Sequence, residues 1–397
     1  MKTALLGIGT WRFFLSFLVA ISHLYGNMIH GPAAYAVWGF FVLSGFLMTL
    51  ILTKKYGFSR GGLWDYTQNR FLRIYPGYLF AVLLGIATLF LMRKLSLEST
   101  VLNGSFRFPV STHGILENIF MVPFLAEGAL YVPVASALFV EVWAYALMPL
   151  MARSRHASIL AFLITLAANI QYGISPETFP IRYSGFATGL LAFATGALVL
   201  HYYETLKRFA MPLTSVCVWC IHGILWLFDV YYPWHYGLYV SMFLSGWVVV
   251  SLFAIKSSNT DKWLGDLSYP VYLLHTTVGM FFYFLFGERS FLFFVLSFAV
   301  TVVFSHLVVV YLERPIQRFK RRKTKIDSLR YFEIPYTTNG EITADLSICC
   351  IKAEYGRYAL DAAICAAMRI ASSVARVLAM PFPAMSKAVP CSGVVIA

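Results

Sequence analysis

Apolar runs of roughly 20 residues recur along this chain, beginning with "LLGIGTWRFFLSFLVAISHLYG". A helix needs about 20 predominantly apolar residues to cross a hydrocarbon core of about 30 Å. In hydrocarbon every backbone polar group must be satisfied internally, so repeated runs of this length restrict the chain to a bundle of membrane-spanning helices. Composition agrees: 59% of the 397 residues are hydrophobic and only 12% are charged, against about 45–50% and 25% in soluble domains. The alternating polarity of a transmembrane barrel is absent from the sequence. The fold class expected is an all-α polytopic integral membrane protein.

About ten spans are expected, over 4–22, 33–53, 77–92, 133–152, 156–172, 184–201, 211–228, 236–255, 268–286 and 291–312. The first run reads as a retained helix, since its charged flank is a lone Lys2. A net charge of +13 would suggest nucleic acid in a soluble protein. Here the basic residues, Lys54, Lys55, Arg153, Arg155, Lys207 and Arg208 among them, fall mostly in alternate loops, and the segment after the last span, "ERPIQRFKRRKTK", is also basic. That bias places both termini in the cytoplasm. By the same count Arg70 and Arg73 belong to an inside loop and Arg182 and Arg289 to outside loops. The long outside segment from Arg93 to Val132 contains "STHGILENIFMVPF", too short to span and so re-entrant or interfacial. Residues 1–325 form the membrane domain expected, and 326–397 a tail of unassigned role, too interrupted by Arg369 and Arg376 for an eleventh span. Cys217 and Cys220 read as small buried packers, and the other four cysteines fall in the tail.

Charged side chains inside such runs mark functional candidates, because they are costly in lipid and face a protein interior or a wet cavity. Arg12 and His23 stand eleven residues apart in the first run. At about 100° per residue they share one helix face, with an axial separation of about 16 Å. Ser16 and Val19 lie between them on that face. Arg70 and Arg73, in "NRFLRIYP", share a face at three residues' spacing; paired guanidiniums can grip phosphate, although the same residues would also serve as topology anchors. Glu141, in "ALFVEVWAYALMP", lies within a span and needs a partner or a polar cavity; Arg12 is one candidate partner. Ser268, Tyr272 and His275 share a face in "LGDLSYPVYLLHTT". His113 in the outside segment could touch a substrate, while His30 reads as exposed and His306 as packing near "YLERP".

Taken together these stretches resemble the membrane acyltransferase-3 family, the O-antigen and exopolysaccharide O-acetylases. "RFFLSFLVAISH" looks like its Arg-x10-His signature, "GFFVLSGFLMT", which contains Ser44, its second-helix motif, and "RFLR" its Arg-x-x-Arg. "SALFVEVWAYALMP" is similar to its "WSLSVE…Y…P", with Ser136 and Ala137 replacing the usual tryptophan and serine. "LGDLSYPVYLLH" and "YLERP" resemble its last two helices. The resemblance covers about residues 5–320 with the motifs in order. It implies acyl transfer from cytoplasmic acyl-CoA, acetyl-CoA by default, to a hydroxyl of a carbohydrate or glycolipid acceptor, without a metal, in the bacterial cytoplasmic (inner) membrane. On that reading His23, Arg12 and Glu141 are catalytic. Arg70 and Arg73 hold the donor's phosphates, and Ser44, His113, Tyr272 and His275 meet substrate. His23 acts either as a general base or as a covalent acyl carrier. The partners expected are the acceptor and membrane lipids, not nucleic acid. The competing readings are a transporter or flippase, although no internal repeat of the kind such proteins carry stands out, and a binding or sensory membrane protein.

Overall fold

The computed structural model describes residues 6–25, 31–122 and 127–319. The expected tail, 326–397, lies outside the described residues, as do His30 and four of the six cysteines. Among the described residues the chain is all helical. It runs through α1 (Ile8–Leu24), α2 (Gly31–Ile51), α3 (Arg60–Lys94), α4 (Thr112–Phe120), α5 (Ala135–Met151), α6 (Arg155–Gln171), α7 (Phe179–Ser184), α8 (Phe186–His201), α9 (Tyr203–Leu206), α10 (Pro212–Gly223), α11 (Gly237–Phe253), α12 (Asn259–Phe286), α13 (Phe291–Val308) and α14 (Arg314–Gln317).

Among the described residues four helical segments are long and apolar enough to cross a membrane: Gly31–Tyr56, Arg60–Lys94, Asn259–Phe286 and Phe291–Gln317. Two bent pairs raise the number to six: Pro176–Ser184 with Phe186–His201, bent by 64°, and Tyr203–Phe209 with Pro212–Leu227, bent by 84°. These pairs fall at the sixth and seventh expected spans. The helices α1, α5 and α11 are apolar but have 17 residues each, about 25 Å of helix, which is short of the hydrocarbon thickness. The expectation of ten spans is therefore met at the level of a multi-pass helical protein, with four to six spans established by length. The largest difference is in α3. Ser59 caps it, its Oγ accepting from Gly62 N at 3.2 Å, so the helix begins well before position 77 and continues through Pro76. Arg70 and Arg73 are consequently helical residues, not loop anchors.

The α1 and α12 helices run parallel in close contact. A Cβ on Gly9 would lie 1.9 Å from the Asp261 carbonyl oxygen, and one on Gly279 would lie 2.4 Å from Leu24 Cδ2. Asp261 also closes the start of α1: its Oδ1 accepts from Thr10 N at 2.7 Å and Thr10 Oγ1 at 3.0 Å. A carboxylate there satisfies an orphan amide and complements the helix dipole. On the other side of α1, α2 packs on α8, where a Cβ on Gly196 would sit 2.0 Å from the Val42 carbonyl oxygen. Small residues that let backbones touch are the usual basis of helix association in lipid. Large aromatics fill the remaining space; Trp11 and Trp219 are both buried and meet edge to face at 5.1 Å.

In the segment between α3 and α5, Ser111 caps α4, and Glu127 accepts from Val110 N at 2.8 Å, Ser111 N at 3.0 Å and the Ser111 hydroxyl. The α4 helix buries Glu117 and Asn118 and exposes Ile115, Leu116, Ile119 and Phe120. An outward apolar face on a helix too short to span is the form of an interfacial element. Two further expectations are corrected. Cys217 is exposed and Cys220 half-buried, so they are not buried packers. Arg182 is not a loop cation: it is fully buried in α7, donating to Thr178 Oγ1, the Ser175 carbonyl and the Trp234 carbonyl.

Candidate active site

A cavity of about 120 Å³ opens among α1, α2, α3, α5 and α12. Three guanidiniums face it: Arg12, Arg70 and Arg73. They come from two distant stretches because α1 and α3 both border α12. Among the described residues no hydrogen bond or ion pair engages Arg12. Arg70 Nε is buried without a hydrogen-bond partner. Arg73 is held differently: its Nη1 lies 3.1 Å from Glu313 Oε2, and Glu313 is 4% exposed.

Glu141 supplies a negative group to the same cavity. Its Oε1 accepts from Ser44 Oγ at 2.6 Å and from the Tyr145 hydroxyl. Tyr145 stands one helical turn on from Glu141, a spacing that brings side chains together on one helix face. Arg12 was the candidate partner for this carboxylate; Ser44 and Tyr145 are its hydrogen-bond partners, and Arg12 acts on it only through the field. With Glu313 committed to Arg73 and Glu141 bound by two hydroxyls, positive charge exceeds negative at the cavity wall. Such a wall suits an anionic or strongly polar ligand, since guanidiniums bind phosphate and carboxylate through paired, charge-assisted hydrogen bonds.

Tyr272 lines the cavity and donates to the Val134 carbonyl oxygen at 2.7 Å. Its ring is 6.4 Å from that of His275, which leads out of the cavity to a second polar cluster. There His23 and His275 meet with ring centroids 5.5 Å apart and planes 34° apart. Neither histidine lines the cavity itself. The parallel register of α1 and α12 produces this pair, one imidazole from each helix. Arg289 reinforces the end of α1, its Nη1 lying 3.4 Å from the His23 carbonyl oxygen, where a cation also complements the helix C-terminus.

The stripe expected between Arg12 and His23 is interrupted. Ser16 and Val19 are buried, and Ser16 Oγ donates back to the Phe13 carbonyl at 2.8 Å. The two polar ends of α1 thus serve different places, a cavity and a histidine pair. Ser268 joins the cavity wall, although its hydroxyl also bonds within the helix, to Gly265 O at 2.8 Å. His113 stands apart from both: it is 70% exposed and pairs with Glu117 at 3.0 Å. His306 receives a hydrogen bond from Trp263 Nε1 at 3.2 Å, which fits a packing role. Sequence reasoning passed over two contributors, Glu313 and Tyr145. Glu313 carried the available signal, a carboxylate at the end of an apolar run. Among the described residues no group of three or more histidine, cysteine, aspartate or glutamate side chains could hold a metal ion.

The described residues thus form a multi-pass helical bundle with a cation-lined cavity and a nearby pair of imidazoles. A family model described as an acyltransferase domain, Acyl_transf_3, matches residues 5–310. The chain belongs to that family, and it is a membrane acyltransferase. Searches of curated proteins and of solved structures found no match.

Proposed function

We propose that the protein is an O-acyltransferase, moving an acyl group, acetyl by default, from acyl-CoA on the cytoplasmic side to a hydroxyl of a carbohydrate or glycolipid acceptor. The observation that carries this reading is the convergence of Arg12, Arg70 and Arg73 on one cavity, with Arg70 Nε buried and without a hydrogen-bond partner among the described residues. A buried donor without an acceptor is costly, and a phosphate oxygen satisfies it. The residues present therefore fit a phosphorylated donor. Arg70 and Arg73 would hold its phosphates, and when bound it supplies an activated thioester carbonyl.

The remaining steps belong to the chain. Arg12, with no hydrogen-bond or ion-pair partner among the described residues, aligns polar atoms of the donor or stabilises negative charge developing on the carbonyl oxygen. Glu141, fixed by Ser44 and Tyr145, sets the cavity's charge and orients polar groups opposite Arg12. His23 is the general base. It takes the hydroxyl proton as the new C–O bond forms; the C–S bond breaks, and the thiolate takes that proton from the imidazolium. Catalysis of this kind is worth about 10²–10⁴-fold. The same geometry permits a covalent acyl-histidine step. Tyr272 marks the boundary between the donor cavity and the histidines.

Acyl transfer in reconstituted membranes with labelled acetyl-CoA tests this reading. Arg70→Ala is expected to raise the donor KM by about 10–100-fold, the equivalent of the 1.5–3 kcal/mol of a hydrogen bond to a charged group. Donor dependence identical to that of the unaltered protein would remove the phosphate role.

A further inference from the structure

The imidazole of His275 is fully buried, and its two nitrogens are treated unequally. Nδ1 lies 3.1 Å from the Val271 carbonyl oxygen one turn back in α12. A carbonyl only accepts, so Nδ1 carries the hydrogen. In the neutral ring Nε2 is then a bare lone pair, and among the described residues it has no hydrogen-bond partner. The local backbone has thus selected one tautomer and left an acceptor buried beside the His23 ring, 5.5 Å away between centroids. At that separation facing ring nitrogens reach hydrogen-bonding distance by side-chain rotation alone. The α1–α12 seam, closed by Gly9 at one end and by Leu24 on Gly279 at the other, holds the two rings in register.

We propose that His275 is a positioning residue for His23: its Nε2 accepts the ring N–H of His23 and so fixes which His23 nitrogen keeps a lone pair for the acceptor hydroxyl. The proposal rests on the reading of His23 as the base. A histidine presents its basic nitrogen correctly only when the other nitrogen's hydrogen is anchored. When His23 takes the hydroxyl proton, the same hydrogen bond steadies the imidazolium until the thiolate collects that proton. His275 touches neither donor nor acceptor in this scheme. His201 and His222 also carry a buried nitrogen without a hydrogen-bond partner among the described residues; what sets His275 apart is the imidazole of His23 beside it.

The test compares His275→Leu and His275→Gln in the full-length protein in lipid vesicles. Glutamine keeps an acceptor near the position of Nε2, whereas leucine keeps only bulk. His275→Leu is expected to lower kcat by roughly 10–100-fold, the scale on which outer partners of functional histidines act, with the donor KM unchanged. His275→Gln should recover most of the loss. A second readout is independent of turnover: solid-state NMR of ¹⁵N-histidine protein, with the His23 signals identified by their absence from His23→Gln. In His275→Leu the His23 nitrogens should change their protonation pattern. Unchanged kcat in His275→Leu, a glutamine variant as impaired as leucine, or unaltered His23 nitrogen signals would each overturn the proposal. If His275→Leu fails to insert, the glutamine variant and its spectrum decide. Retained turnover in His23→Ala would instead defeat the base assignment, and the spectra would still report whether the two rings interact.

Discussion

At the residue scale, the two arginines of "RFLR" occupy different situations despite their adjacent turns. Arg70 Nε has no hydrogen-bond partner among the described residues, whereas Arg73 is bound to Glu313 at 3.1 Å. Arg73→Ala and Glu313→Ala should therefore be non-additive, with a coupling of about 0.5–3 kcal/mol in thermal unfolding; additive losses would show that the pair contributes nothing. Glu127, outside the spanning segments, allows a pH prediction. Its carboxyl sits below the ordinary 4.5, first because the Ser111 hydroxyl donates to it, then through the Val110 amide. A carboxyl with a depressed folded-state pKa stabilises the fold above its unfolded value and loses that contribution as pH falls through the folded one. Hydrogen exchange at the start of α4 should accelerate as pH drops below about 4.5, after correction for intrinsic rates. Glu127→Gln should flatten that response, and an unchanged response in the variant would contradict the role. That Arg12 and Glu141 face a cavity and not lipid was legible in the sequence, because a charge inside an apolar run has few explanations. Their partners were not. Nothing in the spacing joins Arg73 to Glu313, and Arg12 looked as suitable for Glu141 as Ser44 does.

At the element scale, the decisive contacts are backbone approaches. The seam between α1 and α12 closes at Gly9, where any side chain collides with the Asp261 carbonyl. Gly9→Val should destabilise the protein by about 1–3 kcal/mol or more, as overpacking does, and should lower turnover by shifting His23 away from His275. Native thermal stability in Gly9→Val would contradict the seam. Apolar run length located most helices, since hydrophobicity alone sets that signal. It misplaced the start of α3, because a Ser59-capped, polar extension outside the apolar run lacks the same signature. It also blurred the bent pairs, because the breaks at Gly185 and around Ala210 depend on neighbours that sequence does not reveal. The parallel register of α1 and α12, which creates the histidine pair, was invisible for the same reason.

At the scale of the whole molecule, the family match over residues 5–310 and the cavity coincide. Every cavity-lining residue lies within that range, while Glu313, which braces Arg73, lies just beyond it. A protein truncated after Lys325 should keep full acyl transfer in membranes; loss of activity with normal insertion would give the tail a catalytic role. The division of labour proposed for the bundle is spatial: phosphate binding at α3, donor alignment by Arg12, and proton transfer where α1 meets α12. Everything in that division turns on His23 acting as the base. The most direct measurement is transfer of labelled acetyl from acetyl-CoA by His23→Ala in membranes, with insertion and donor binding checked on the same preparation. Donor binding should persist while transfer is lost; turnover at the unaltered protein's rate would rule out His23 as the base.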